Sequence, residues 1–322
     1  MKNSPALGVH QISMPRLFGA GDFSASIKIR SLAKKLDVDI LHGHGAKGGF
    51  NARIGKIITP GKIAIYTPHG GVLHYSPSGI GGNFLYGIER FLTKKTDAVI
   101  FESAFAKSSF EKQIGEFSGP ATVVHNGLTS DEFIALGPEK ARYDFAFIGE
   151  IRQLKGIHIL LEALVDVKRK DGSSARLIIA GAGPDEAKIK QQIIDLKLSD
   201  QVEMVGVKPA RKIFEQARTV IVPSLAESLP YVVLEAAAAQ KPVLATDVGG
   251  ISEIFGPTAD ALIPAGNVEA LKTAMQDNIN HPDAASREMK IRLQWVKETF
   301  SIKKMIKSIE NIYKNTMKQN DE

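Results

Sequence analysis

Two carboxylates, Glu227 and Glu235, stand eight positions apart in the run TVIVPSLAESLPYVVLEAAAAQKPVLATDVGGISEIFG, residues 219–256. The residues around them read strand, loop, helix, strand and glycine turn. Residues 220–222 form a short β-branched run closed by Pro223 and Ser224, and Pro230 suits the first turn of a helix over 231–240. Lys241 and Pro242 stop that helix, residues 243–246 read as a second buried strand, and Asp247-Val248-Gly249-Gly250 turns into the next helix. This is a βαβ unit of a parallel sheet. Its loop delivers Glu227, with the N–H groups of Ser228, Leu229 and Tyr231, to the positive end of a helix dipole, where an anion such as a phosphate is stabilised. Glu235 falls about one turn inside an otherwise apolar helix, as either a solvated position or an acceptor for sugar hydroxyls.

Other groups stand where strands end. Lys155 and Gly156 close the loop 149–156 ahead of an apolar helix, and the cation is either a solvated loop lysine or an anion ligand. Gly181-Ala182-Gly183-Pro184 is a glycine turn able to approach a nucleotide. His42 and His44 alternate at the carboxyl end of a strand, where an H-x-H pair can hold a metal. His69 follows another strand beside Gly70-Gly71, as a capping core residue or as a group facing a ligand. Asp37-Val38-Asp39 has the D-x-D spelling of a metal site but stands before its strand, whereas open parallel sheets bind at carboxyl ends. It reads as a helix-to-strand turn.

The segment ESLPYVVLE from Glu227 to Glu235, followed by Pro242-Val243 and Gly249-Gly250-Ile251-Ser252-Glu253, resembles the E-x7-E region of glycosyltransferase family 4. Lys155-Gly156 is similar to that family's G-R-x-x-x-x-K-G loop. Leu41-His42-Gly43-His44-Gly45 and Thr67-Pro68-His69-Gly70 resemble phrases of its N-terminal domain, and Val124-His125-Asn126-Gly127 resembles the place where its chain leaves that domain. The resemblance implies a retaining enzyme of α/β GT-B fold, two Rossmann-like doubly wound domains facing across a cleft. It implies that Glu235 holds the donor's ribose, that Glu227 faces the transferred sugar, and that Ser228, Leu229, Pro230 and Tyr231 meet sugar and phosphate. Lys155 is then a diphosphate ligand, Gly181 a nucleotide neighbour, His69 a cleft-facing group near the donor, and His44 a second candidate for the cleft. Glu150 occupies the place of the family's Arg, for which Arg152 is the candidate substitute.

The 322 residues can bury a large core and suit two domains better than one. With 43% hydrophobic and 24% charged residues the composition is that of an ordinary globular chain. No apolar run is long enough to span a bilayer and no secretory signal precedes the fold, so a cytoplasmic protein is expected, soluble or peripheral at the inner membrane face. The net charge of +6 is compatible with an anionic membrane surface or acidic substrates. No motif with interleaved aromatics points to nucleic acid. With no cysteine in the chain, disulfides and cysteine metal sites are excluded.

Periodicity predicts an N-terminal Rossmann-like domain over 1–130, with strands near 9–12, 38–42, 63–67, 98–101 and 122–124 and a glycine loop at 43–49. A nucleotide-sugar-binding domain follows over 131–298, with strands at 145–148, 177–180, 202–205, 220–222 and 243–245. Residues 299–322 form a helix whose apolar stripe, Ile302, Met305, Ile306, Ile309, Tyr313 and Met317, packs back on the first domain or lies on a membrane. The family's first strand-helix unit is not found before Val9, so the first domain is expected to be incomplete.

The function expected is transfer of a sugar from a nucleotide diphosphate sugar of UDP or GDP type to a hydroxyl of a glycan or glycolipid acceptor. Lipopolysaccharide, glycolipid or polysaccharide synthesis is the expected setting, with no cofactor and no metal. The rival readings are a non-catalytic nucleotide-sugar-binding remnant and an H-x-H metal hydrolase.

Overall fold

Short β-branched and aromatic runs set the strands, and each is read here from a computed structural model that describes residues 5–14, 19–69, 80–137 and 141–321. Contacts divide the chain into two compact units, Met1–His125 with Ile306–Glu322, and Asn126–Met305.

The first unit holds a four-stranded parallel sheet, β1 (Ile40–His44), β2 (Ile63–Thr67), β3 (Ala98–Phe101) and β4 (Ala121–Val123), in that spatial order. Strands β2 and β3 are buried along their whole length, as parallel strands covered on both faces must be. The helices are α1 (Ala20–Lys35), α2 (Gly45–Ile57), α3 (Ile80–Thr93) and α4 (Ala104–Gln113). Arg53 of α2 is fully buried and forks onto both oxygens of Glu89 on α3 at 2.7 and 2.9 Å, with its guanidinium 4.0 Å from the centre of the Tyr66 ring. Removing either partner of such a pair strands the other charge in the core, which costs about 3–5 kcal/mol.

Two expectations fail in this unit. Residues 9–12 form no strand: their backbone pairs with no strand among the described residues, and Val9 is 84% exposed. The glycine string 43–49 is not a ligand loop but the end of β1 and the start of α2. Its glycines serve packing. A Cβ on Gly43 would sit 2.2 Å from the Gly48 carbonyl oxygen, and one on Gly49 would meet the Tyr66 ring at 2.1 Å. Of the phrase at 68–71, Gly70 and Gly71 lie outside the described residues.

The second unit is a five-stranded parallel sheet of β5 (Tyr143–Ile148), β6 (Leu177–Ala180), β7 (Val202–Met204), β8 (Ala217–Val222) and β9 (Val243–Ala245), in the order β7-β6-β5-β8-β9. Helices α5 (Ile157–Leu164), α6 (Glu186–Asp195), α7 (Ala210–Phe214), α8 (Tyr231–Ala238), α9 (Ile251–Phe255), α10 (Val268–Asn280) and α11 (Pro282–Thr299) accompany it. Ile157, Leu160, Leu161 and Leu164 of α5 pack with Phe145, Phe147 and Ile179, all buried. At about 1.5–3 kcal/mol for each large apolar side chain removed from water, this layer fixes where the helix starts. The last helix, α12 (Ile302–Asp321), begins in the second unit and continues from Ile306 in the first. The Asn126-Gly127 phrase has a local cause: a Cβ on Gly127 would meet the Ile302 nitrogen at 2.5 Å, where Leu128 exchanges backbone bonds with Phe300 and Ile302.

Candidate functional site

The strand order of the second unit runs away from β5 in both directions, through β6 to one side and β8 to the other. The carboxyl ends of β5 and β8 therefore flank the topological switch point, the crevice where open α/β sheets bind ligands. The two loops leaving those ends are 149–156 and 223–230.

These loops are fastened to each other by backbone contacts that only glycine permits. Gly156 has φ +67° and its missing Cβ would fall 1.9 Å from the Pro223 carbonyl oxygen. The Leu225 N–H donates to the Leu154 carbonyl at 2.8 Å. From the other side the turn after β9 braces the second loop: the Gly250 N–H donates to the Ser228 carbonyl at 2.6 Å, and Gly249, φ +62°, leaves no room for a Cβ against the Glu227 carbonyl oxygen, 2.1 Å away. Thr246 Oγ1 donates to the Ser224 carbonyl at 2.6 Å.

Within this frame Lys155 Nζ donates to Glu227 Oε1 at 2.6 Å, and Ser224 Oγ donates to the same oxygen at 2.6 Å. The Lys155 side chain is 25% exposed and that of Glu227 10%. Immediately beyond, α8 starts at Tyr231 with Pro230 as its N-cap, and no side chain caps it. A helix start without a side-chain cap leaves its first amides to solvent or ligand. Ser228 is partly buried, Leu229 and Pro230 are buried and Tyr231 is 47% exposed.

Glu235 is half-buried on α8, and its carboxylate makes no hydrogen bond or ion pair with the described residues. Burial, and after it the Glu132 carboxylate, push it above the usual carboxylate range, while Arg211 pulls the other way. Neither neighbour binds it. Glu132 accepts from Thr129 N and Oγ1 at 2.7 and 2.9 Å, and Arg211 donates to the carbonyls of Glu132 and Ile134 at 2.9 and 2.7 Å.

Arg152 and Gly181 stand differently. Arg152 is half-exposed and lies 3.5 Å from the carboxylate of Glu150, which holds the place of the family's Arg. Gly181, φ +147°, is required by the fold itself, because a Cβ there would fall 1.8 Å from the Gly149 carbonyl oxygen.

In the first unit, His42 and His44 share one face of β1, and their rings lie 4.2 Å apart. His42 Nδ1 bonds Tyr313 Oη at 2.7 Å and its Nε2 bonds Thr67 Oγ1 at 2.8 Å, so both nitrogens are occupied without a metal. Burial, then the neighbouring His44 and His69, push its pKa down to about 3. His44 Nδ1 meets His69 Nε2 at 2.8 Å, and His69 follows β2 with φ +49°. Among the described residues no group of three or more His, Asp or Glu is arranged to hold a metal, and no helix is long and apolar enough to cross a membrane. Asp37 and Asp39 stand at the amino end of β1, with Asp37 side chain 96% exposed.

Sequence reasoning missed Ser224, Thr246, Glu132, Arg211 and Thr67, and read Tyr313 only as part of an apolar stripe. Ser224 lies three residues from Glu227 and could have been found by its place at a strand end. The others reach their partners only through the fold.

The family described as glycosyl transferases group 1 matches residues 130–315, and the one described as glycosyltransferase family 4 matches residues 5–132. A glycogen synthase of Mycobacterium tuberculosis is 26% identical over 247 residues, 73% of this chain, which spans 58% of that enzyme's length. Among solved structures, a sucrose-phosphate synthase from Thermosynechococcus elongatus superposes with a TM-score of 0.79 at 20% identity, covering 94% of this chain and 80% of the other. HepE of Anabaena, solved in complex with UDP and glucose, superposes with a TM-score of 0.79 at 18% identity, covering 93% and 84%. The chain thus has the α/β GT-B fold and belongs to the glycosyl transferases group 1.

Proposed function

We propose that the protein is a retaining glycosyltransferase that takes a nucleoside diphosphate sugar, of UDP or GDP type, as donor and a hydroxyl of a glycan or glycolipid as acceptor. The observation that carries this reading is the meeting of Lys155 and Glu227, 72 residues apart in sequence, at the switch point beside the start of α8. A cation and an uncapped helix start suit a diphosphate, and a carboxylate beside them suits sugar hydroxyls. Glu235, half-buried and with no partner for its carboxylate among the described residues, suits the ribose.

In the reaction the bond between the anomeric carbon and the diphosphate oxygen breaks as the acceptor oxygen bonds to that carbon. The nucleoside diphosphate leaves, and the acceptor proton goes to it or to solvent. Lys155, aided by Arg152 and the amides from Ser228 to Tyr231, stabilises the charge gathering on the leaving group. Glu227 and His69 orient the sugar. No resident metal enters this scheme, because the protein's own cation and helix start carry that electrostatic task. A peripheral contact with an anionic membrane belongs to the reading too: α12 exposes Ile306 and Met317 among Lys303, Lys307, Lys314 and Lys318.

The test is a calorimetric and thermal-shift screen of UDP- and GDP-sugars, with and without a chelator, followed by assay of released nucleoside diphosphate with hydroxyl acceptors. Binding that survives chelation together with release on adding acceptor supports the reading. Binding with no transfer or hydrolysis selects a binding protein instead.

A further inference from the structure

Three histidines of the first unit, His42, His44 and His69, form a graded stack. His42 is clamped at both nitrogens, by Tyr313 from α12 and by Thr67 from β2. His44 lies against it with rings 4.2 Å apart and 32° from parallel, and His69 lies against His44 at 5.1 Å and 20°. Only the last two rings bond to each other, Nδ1 of His44 to Nε2 of His69 at 2.8 Å.

That bond has a consequence for His69. His44 is held below the usual histidine range by burial and then by His69, so at neutral pH it is uncharged. A hydrogen bond between two imidazole nitrogens holds a single hydrogen, so one ring donates and the other accepts. If His44 donates, His69 carries its own hydrogen on Nδ1 and offers a donor there. If an uncharged His69 donates, its Nδ1 is a bare acceptor. In each case the role of His69 Nδ1, which bonds none of the described residues, is tied to the state of His44 Nδ1. His44 is the N-cap residue of α2, yet its side chain makes no capping bond. Its Nδ1 is turned to His69 instead.

We propose that His44 is a positioning residue for His69: it fixes the orientation and the tautomer with which His69 meets a sugar hydroxyl, while His42, locked by Tyr313 and Thr67, is the rigid ring that backs it. This rests on the reading in which His69 orients the transferred sugar.

The experiment uses full-length protein labelled with 15N-histidine, and two variants that separate ring contact from hydrogen bond. His44→Phe keeps an aromatic ring against His42 but cannot bond. His44→Asn loses the ring but keeps a polar atom near the place of Nδ1. Long-range 15N–1H spectra of the ligand-free protein should show His69 in one tautomer in wild type and in His44→Asn, and averaged between two in His44→Phe. With a donor identified, kcat/KM should fall roughly threefold to tenfold in His44→Phe, the worth of one hydrogen bond, and recover in His44→Asn. His69 averaged between tautomers in wild type, or still locked in His44→Phe, overturns the proposal. The spectra need no activity, so a locked His69 in a protein that transfers no sugar leaves the coupling of His69 to His44 standing and defeats the sugar-orienting reading on which its use rests.

Discussion

Lys155 Nζ and Glu227 Oε1 are 2.6 Å apart, so the cation assigned to the donor's diphosphate and the carboxylate assigned to its sugar hold each other. A ligand that takes up Lys155 must share it with Glu227. The pair therefore acts as one unit, and changing either member reports on both.

From this follows an asymmetric pair of substitutions. Lys155→Ala should weaken nucleoside diphosphate binding by roughly one to two decades, the worth of a charge-assisted hydrogen bond at about 1.5–3 kcal/mol. Glu227→Gln releases the lysine, so the bare nucleoside diphosphate should bind at least as tightly as to wild type, while the preference for the sugar-bearing donor is lost. Calorimetry on the two variants and their double mutant checks this. Additive losses in all three would show that the pair does not act together.

Glu235 predicts a trade between stability and binding. Its folded pKa is raised, chiefly by burial, so the folded state keeps the proton to higher pH than the unfolded chain does. The carboxyl costs nothing below about pH 4, where both states are protonated, and its cost grows as pH rises through the folded pKa. Glu235→Gln should therefore be more stable than wild type in urea at neutral pH, with the difference vanishing in acid. It should also weaken nucleoside and nucleoside diphosphate alike, by roughly a decade or more. Loss of stability at neutral pH would show that the carboxylate has a structural partner.

His42 carries the opposite sign. Its folded pKa is about 3 against 6.5 for an ordinary histidine, so below pH 6.5 the unfolded chain binds a proton that the folded protein does not. The stability it contributes is present above 6.5 and is lost at up to about 1.4 kcal/mol per pH unit as pH falls toward 3. His44 adds to the same slope. Urea midpoints across this range should flatten in His42→Gln, and an unchanged slope would place the acid sensitivity elsewhere.

Two glycines separate strain from function. Gly249 and Gly172 have φ of +62° and +82°, but a Cβ on Gly172 meets nothing, whereas one on Gly249 strikes the Glu227 carbonyl. Alanine at either site should cost roughly 1–2 kcal/mol of left-handed strain. Only Gly249→Ala should also lose donor affinity, measured by calorimetry, because it displaces the loop that carries Glu227.

Much of this fold is legible in the sequence where apolar runs are short and bounded: 63–67, 98–101, 177–180 and 243–245 are strands as written. Residues 9–12 have the same look, but a strand needs a neighbour to bond and no pattern within the segment supplies one. The string 43–49 reads as a loop because glycine is taken as a sign of chain freedom, whereas here its lack of a side chain lets α2 sit on β1 and Tyr66. The individual site residues Lys155, Glu227, Glu235 and His69 are visible one by one. Their partnerships are not, since Lys155 with Glu227 and His42 with Tyr313 span 72 and 271 positions and exist only once strand order is fixed.

The most direct test of the account is donor binding by Lys155→Ala beside wild type, read by calorimetry across UDP- and GDP-sugars and their nucleoside diphosphates. The account predicts that wild type binds at least one nucleoside diphosphate sugar and that Lys155→Ala, folded to the same thermal midpoint within a few degrees, binds it roughly ten- to hundredfold more weakly. Wild-type affinity in Lys155→Ala, or no binding of any such donor by wild type, would contradict the assignment of this site to a sugar nucleotide.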